Sequence, residues 1–334
     1  MGDTSIEWTK RADGTKGKVW NPVTGCSKVS QGCKNCYAEV VANRFWGERA
    51  FTDVQCHEER LEQPLHWRKP ARIFVNSMSD LFHEKVPDSF IARVVGVAYV
   101  ARWHTFQSLT KRADRMARLL SSPKFYELLD DAICALTTER GCFEWPIPNL
   151  WLGVSVEDQK TADERIPLVL ETPAAVRWVS YEPALGPIQI ARYLMQDPME
   201  AGGMEITRSE NARLLDWLVC GGESGPGARP MHPDWARSVR DQCIAAGVPF
   251  FFKQWGEWEP VKTSNVVRPE DSGLLAPYVV ACSTNRREVG SVSYHAYPQN
   301  ITERGIGPFE RMTKVGKKAA GRLLDGREWN EFPK

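Results

Sequence analysis

Short apolar runs rich in β-branched and aromatic residues alternate along the chain with longer stretches that are apolar at helical spacing. The runs at 19–24, 72–76, 105–109, 150–156, 176–181, 217–220 and 249–253 predict strands. DSFIARVVGVAYVARW, EDQKTADERIPLVLE and HPDWARSVRDQCIAAG predict helices, the first capped by Asp88 and the last stopped by Gly247. Such alternation is the signature of βα units and a parallel sheet. Polar and glycine-rich residues follow each run in turn: NSMSDLFH, TKR, SVED, SYEPALGP, GGESGPG and KQWGEW. In a parallel barrel those strand ends share one face, where side chains from different strands converge on a ligand.

The expected fold class is therefore α/β, a barrel of parallel strands. Insertions are expected at roughly 51–70, 121–148 and 186–213, with no internal repeat. From about 256 the pattern dissolves into polar, turn-rich sequence, with a last helix expected in KVGKKAAGRLLDG. The division reads as a barrel over 1–255 and an irregular C-terminal extension over 256–334 that caps it.

Composition narrows the class. The 334 residues are 42% hydrophobic and 25% charged, as in a soluble protein with a large core. A net charge of +1 excludes a globally basic, polyanion-coating surface. MGDTSIEWTK lacks the apolar region of a secretory signal, and no run of 18 apolar residues predicts a membrane span. Nine cysteines, an odd number, fit reduced thiols in a cytoplasm. Six of them, Cys56, Cys134, Cys142, Cys220, Cys243 and Cys282, are scattered and read as buried free thiols.

The other three stand together in TGCSKVSQGCKNCYAE, where Cys26, Cys33 and Cys36 are spaced C-x6-C-x2-C after the first strand. Three soft thiolates suit zinc or an iron–sulfur cluster. On a four-iron cluster they leave one iron open to the amino and carboxylate groups of S-adenosylmethionine (SAM). Electron transfer then breaks a carbon–sulfur bond and yields a 5′-deoxyadenosyl radical. The spacing alone leaves a second reading open, a structural zinc site completed by His57 or His83.

TSIEWT, VWNPVTGC, GCKNCYAE, FVNSMSDLFH, GVSVE, SYEPALGPI, CGGESG, FKQWG and VGKKAAGRLLDGREWNEFP, in this order from residue 4 to 333, resemble a phage-associated radical SAM family. That family was formerly catalogued as a domain of unknown function and is distantly similar to spore photoproduct lyase. The resemblance implies a partial (β/α)6 TIM-type barrel with a [4Fe-4S] cluster on Cys26, Cys33 and Cys36, and SAM bound across the strand ends. The commonest pattern of such enzymes is C-x3-C-x2-C with an aromatic before the last cysteine. Here the first gap is six residues and Tyr37 follows.

By the same template Asn76, Ser77, Ser79 and Asp80 stand where the SAM ammonium is held, and Ser155 and Glu157 where its ribose is held. Ser and Asp that cap the next turn are the competing account of the first group, and a helix cap of the second. Tyr37 either stacks on adenine or packs beneath the cluster. Lys111 and Arg112, after the third strand, suit the SAM carboxylate or a substrate phosphate. Glu182, Lys253, Gln254 and Trp255 end later strands and are expected to face the same cavity. Lys314, Lys317, Lys318 and Arg322 read as a solvated basic stripe, with contact to a phosphate backbone the alternative.

The phage association and the distant likeness to a thymine-repairing lyase imply a substrate: a modified thymidine in phage DNA, its substituent isomerised or rearranged, which helps the DNA evade host restriction. An electron donor such as flavodoxin or ferredoxin is then a partner, and the host cytoplasm the compartment. Radical chemistry on a peptide or small metabolite is one alternative. A zinc-stabilised nucleic-acid-binding protein without catalysis is the other.

Overall fold

All seven apolar runs form strands of one parallel sheet: β1 (Lys18–Trp20), β2 (Arg72–Val75), β3 (Thr105–Thr110), β4 (Leu150–Val156), β5 (Val176–Tyr181), β6 (Trp217–Gly221) and β7 (Phe250–Gln254). They lie side by side in chain order and curl into a partial TIM-type barrel. The structure, a computed structural model, describes residues 2–11, 13–137, 143–195, 213–260, 291–294 and 310–333. Cys142 and Cys282 lie outside these. The first run breaks after Trp20, because Pro22 cannot donate to a ladder. Val23–Thr24 instead turns away and pairs antiparallel with Gln55–Cys56.

The helices are α1 (Tyr37–Phe45), α2 (Asp88–Val100), α3 (Ala113–Leu120), α4 (Pro123–Leu136), α5 (Gln159–Glu171) and α6 (Pro233–Ala245). Pro87, not Asp88, holds the N-cap position of α2; the Asp88 carboxylate accepts from Arg115 Nη2 at 2.6 Å. Asp158 and Thr161 form a capping box at the start of α5. Gly247, at φ 66°, follows α6 as expected. The insertion at 121–148 contains α4, which packs on α2 where Gly96 lets the two approach.

Strand alternation divides the interior in two. One face of the sheet buries Ile73, Phe106, Leu152, Val179, Leu218 and Phe252 under the helices. The other turns Phe74, Trp178, Trp217 and Phe251 into the lumen, where Trp8 of the N-terminal segment joins them. Trp8 stands 4.7 Å from Phe74 and 5.2 Å from Trp178, and Trp178 stands 5.3 Å from Trp217. These rings fill the lower lumen as a packed aromatic layer. Gly153 makes room for it: a Cβ there would meet the Trp178 ring at 2.4 Å. Gly153→Ala is expected to lose about 1–3 kcal/mol of stability through overpacking, read as a lower urea midpoint at unchanged slope.

Beyond β7 a small antiparallel sheet forms from β8 (Trp258–Pro260), β9 (Ser291–Tyr294) and β10 (Glu310–Lys314), with β10 in the middle. The helix expected over 314–326 shrinks to α7 (Lys317–Ala320), because Gly316 and Gly321 adopt φ of 89° and 67° on either side. Of the basic residues there, Lys317 and Lys318 are exposed as expected, Lys317 also reaching the cavity described below, whereas Arg322 turns in over the Phe251 ring. Residues 329–331 return along β7, with Phe252 N donating to Trp329 O at 3.0 Å and Glu331 N to Phe250 O at 3.3 Å. At the opposite edge Thr4 N donates to Gly17 O at 2.9 Å and Asp3 bridges Lys18. Cys220 and Cys243 are buried free thiols, as expected. No helix among the described residues is long and apolar enough to cross a membrane.

Candidate active site at the mouth of the barrel

The three-cysteine loop sits over the C-terminal ends of the strands. It is held by the segment that follows β2. Asn76, at φ 61°, accepts from Val23 N at 3.2 Å, and Ser79 Oγ donates to Val23 O at 2.8 Å. Ser77 Oγ donates to Asn21 Oδ1 at 3.2 Å, and its carbonyl accepts from the Tyr37 hydroxyl. Gly25, at φ 91°, passes so close to Asp53 that a Cβ would meet its carbonyl oxygen at 2.4 Å. Cys26 follows; Cys33 ends the 3-10 turn Gln31–Cys33, and Cys36 is the N-cap residue of α1.

All three thiols are free and partly exposed. Burial, with the Asp80 carboxylate adding to it, pushes the Cys26 thiol up to about 11, although Arg112 Nη1 stands 3.6 Å from the sulfur. Burial also raises Cys36, and Cys33 is near enough to contribute to both shifts. Among the described residues no group of three or more His, Cys, Asp or Glu is arranged to hold a metal ion. His57 Nε2 is paired with Thr24 Oγ1 at 2.7 Å and His83 Nε2 with Ser27 Oγ at 2.9 Å. Three thiols on one loop, with a guanidinium beside one of them, are a donor set that fits an iron–sulfur cluster; binding would displace their protons.

Beneath the loop opens a cavity of about 390 Å3. Cys36 and Tyr37 border it above, Lys111, Ser155, Ser180, Glu182 and Lys253 form its walls, and Trp8, Phe74 and Leu109 its floor. Lys253 Nζ is 2.7 and 2.8 Å from the two Glu182 oxygens. Six of the expected site residues thus converge here: Cys36, Tyr37, Lys111, Ser155, Glu182 and Lys253.

The others do not line it. Asp80 spends its carboxylate on Thr110 Oγ1 at 2.7 Å, on the Phe82 and Lys111 amides, and on Arg112 at 3.1 Å. Arg112 is drawn outward to Asp80, Glu84 and Ser27. Glu157 is fully buried and accepts from Ser30 Oγ at 2.9 Å, Lys111 Nζ at 2.5 Å and Arg165 Nη1 at 3.2 Å. With those partners it braces the cysteine loop against the barrel and has no oxygen turned to a ribose. Asn76, Ser77 and Ser79 scaffold the loop, as already described. Gln254 donates to Glu182 at 3.4 Å from beside the cavity, and Trp255 donates to Leu323 O at 2.8 Å, away from it.

Two groups escaped sequence reasoning. Glu223 accepts from Asn35 Nδ2 at 3.0 Å and from Arg229 Nη2 at 2.7 Å, and Arg229 reaches Gln31 O at 3.0 Å, so the glycine-rich loop after β6 clasps the cysteine loop. The acidic residue ending a strand was its signal. Glu7 and Trp8 enter the lumen from TSIEWT, a segment with no hydrophobic period, marked only by the family resemblance.

The chain belongs to the family described as protein of unknown function DUF5131, whose model matches residues 3–333. No curated protein matches it. Among solved structures it is weakly similar to a cysteine-to-serine mutant of spore photoproduct lyase, at 10% identity and a TM-score of 0.37, over 70% of this chain and 76% of that one. It is also similar to spore photoproduct lyase complexed with dinucleoside spore photoproduct, at 9% identity and a TM-score of 0.34, over 69% and 75%.

Proposed function

We propose that the chain is a radical SAM enzyme in which Cys26, Cys33 and Cys36 hold three irons of a [4Fe-4S] cluster. The observation that carries this reading is the placement of three free thiols, in one loop, over the mouth of a partial barrel whose cavity Cys36 borders. When bound, the cluster supplies the electron that splits a carbon–sulfur bond of SAM and leaves a 5′-deoxyadenosyl radical.

The chain's own residues bind, orient and exclude water. Lys111, held by Glu157, is the cation we assign to the carboxylate of SAM, and Ser155, on the cavity wall, the hydroxyl we assign to its ribose. Tyr37, which borders the cavity, is the aromatic residue we assign to adenine. The tryptophan layer closes the lumen from below, so a reactive carbon-centred species is kept from solvent.

The substrate we assign is a thymidine-derived base in phage DNA, whose substituent is isomerised or rearranged, with a flavodoxin or ferredoxin as donor. The sequence resemblance supports it, together with a cavity floored by aromatic side chains. A base in a duplex must leave its stack to enter.

Anaerobic reconstitution with iron and sulfide tests the reading. A brown protein with about four irons per chain, releasing 5′-deoxyadenosine from SAM on reduction, is the expected result. A colourless zinc protein indifferent to SAM would refute it.

A further inference from the structure

The floor of the cavity carries two polar atoms that the fold leaves unused. Glu7 and Trp8 both line the cavity, and Glu7 Oε2 and Trp8 Nε1 are buried without a hydrogen-bond partner among the described residues. Glu7 Oε1 lies 3.9 Å from the Lys317 ammonium. The charged groups of the walls are already matched within the chain: Lys111 by Glu157, Lys253 by Glu182, Glu223 by Arg229. A buried acceptor and a buried donor left open are costly, and a ligand that pairs both offsets that cost.

The two atoms belong to neighbouring residues of one 3-10 turn, Glu7–Thr9, both of which line the cavity. Trp8 is in turn wedged between Phe74 and Trp178, at 4.7 and 5.2 Å. Depth assigns the occupant. Trp178 lies two residues before Ser180 on β5, roughly 6.6 Å further from the rim. The cysteines, and whatever they hold, are at the rim.

We propose that this floor recognises the substrate by the edge of a planar heterocycle, a ring N–H donating to Glu7 Oε2 and an adjacent carbonyl accepting from Trp8 Nε1. A pyrimidine imide presents that pair. The inference rests on the reading of a base as substrate and names the edge by which the base is held. Its N–H meets a carboxylate oxygen, and the ring face meets aromatic carbon.

Calorimetric titration of the full-length protein tests it, with thymidine, a short oligothymidylate, N3-methylthymidine, adenosine and SAM as separate titrants. Thymidine or the oligothymidylate is expected to bind, the tighter of the two telling a free nucleoside from a strand as the source. N3-methylthymidine, which lacks the ring N–H, is expected to bind at least about tenfold more weakly. Glu7→Gln, near-isosteric and checked for fold by near-ultraviolet circular dichroism, should weaken thymidine by a similar factor and leave SAM unchanged. Equal binding of N3-methylthymidine, no binding of either thymidine ligand, or a Glu7→Gln loss confined to SAM or adenosine overturns the proposal. Iron content and SAM cleavage, measured on the same samples, keep the two readings apart. A protein that takes no cluster but loses thymidine on Glu7→Gln retains the floor assignment alone. One that cleaves SAM but ignores thymidine loses only that assignment.

Discussion

Replacing any one of Cys26, Cys33 and Cys36 by alanine is expected to abolish SAM cleavage and cut bound iron sharply, while the barrel stays folded. The expectation of a folded variant has a physical basis. The three thiols are partly exposed and lie on a loop whose position is set by other bonds: Asn76 and Ser79 to Val23, Glu157 to Ser30, Glu223 to Asn35. Truncating one small, partly exposed thiol there removes only a modest buried surface. Chemistry, by contrast, depends on all three, since a cluster held by two thiolates has lost a third of its anchoring. Alanine variants of Cys220 or Cys243, buried under the helices, should show the reverse pattern of lower stability and retained iron. Iron content, the cluster absorbance and 5′-deoxyadenosine yield, read beside a urea unfolding curve, separate the two behaviours. Full activity in all three loop variants would remove the cluster from this site.

Glu157→Gln should be the most destabilising of the conservative changes at the mouth, by about 3–5 kcal/mol, because it leaves Lys111 and Arg165 as buried charges without their anion. Its side chain has no exposed surface, so solvent cannot take over the role as it would for a surface pair such as Arg118 with Asp114. The wild type should also carry a pH signature. Burial, the largest influence, pushes the Glu157 carboxyl up, but Lys111, Arg165 and the hydrogen bonds from Lys111 and Ser30 outweigh it and hold the carboxyl below its ordinary 4.5. A carboxyl lowered on folding stabilises the protein above that ordinary value, and the gain disappears as pH falls through the folded value. Stability of the wild type should therefore drop in acid below about 4.5, with a flatter profile in the variant. Equal urea midpoints at pH 7 would show that Glu157 braces nothing.

The sheet was readable because its strands are covered on both sides, by helices outside and by the aromatic layer or the cavity inside. Such strands print as continuous apolar runs, and 150–156 and 176–181 match the observed β4 and β5 residue for residue. Polar strand ends were readable for the same reason, as interruptions where the sheet meets its ligand face. What side chains do at those ends was less so. Asn, Ser and Asp pair with groups of the chain as readily as with a ligand, and at 76–80 such groups won: the Val23 backbone for Asn76 and Ser79, the Asn21 side chain for Ser77, and Thr110, Arg112 and nearby amides for Asp80. Glu157 stands one residue past its strand, as a ribose-binding carboxylate would, yet its cations come from residue 111 and from a helix turn at 165. Charges brought together from separate elements leave no local spacing to read. Glu7 and Trp8 were hidden differently, since a lone aromatic in a polar segment carries no period at all.

The half-open sheet ends in neither direction on bare backbone. Residues 329–331 lie along β7, and the segment around Thr4 lies along β1. A strand offered by another molecule, whether a peptide ligand or a second copy of this chain, would find both flanks already occupied at those positions. Partners that recognise this protein are thereby steered to its helical exterior or to the rim of the barrel.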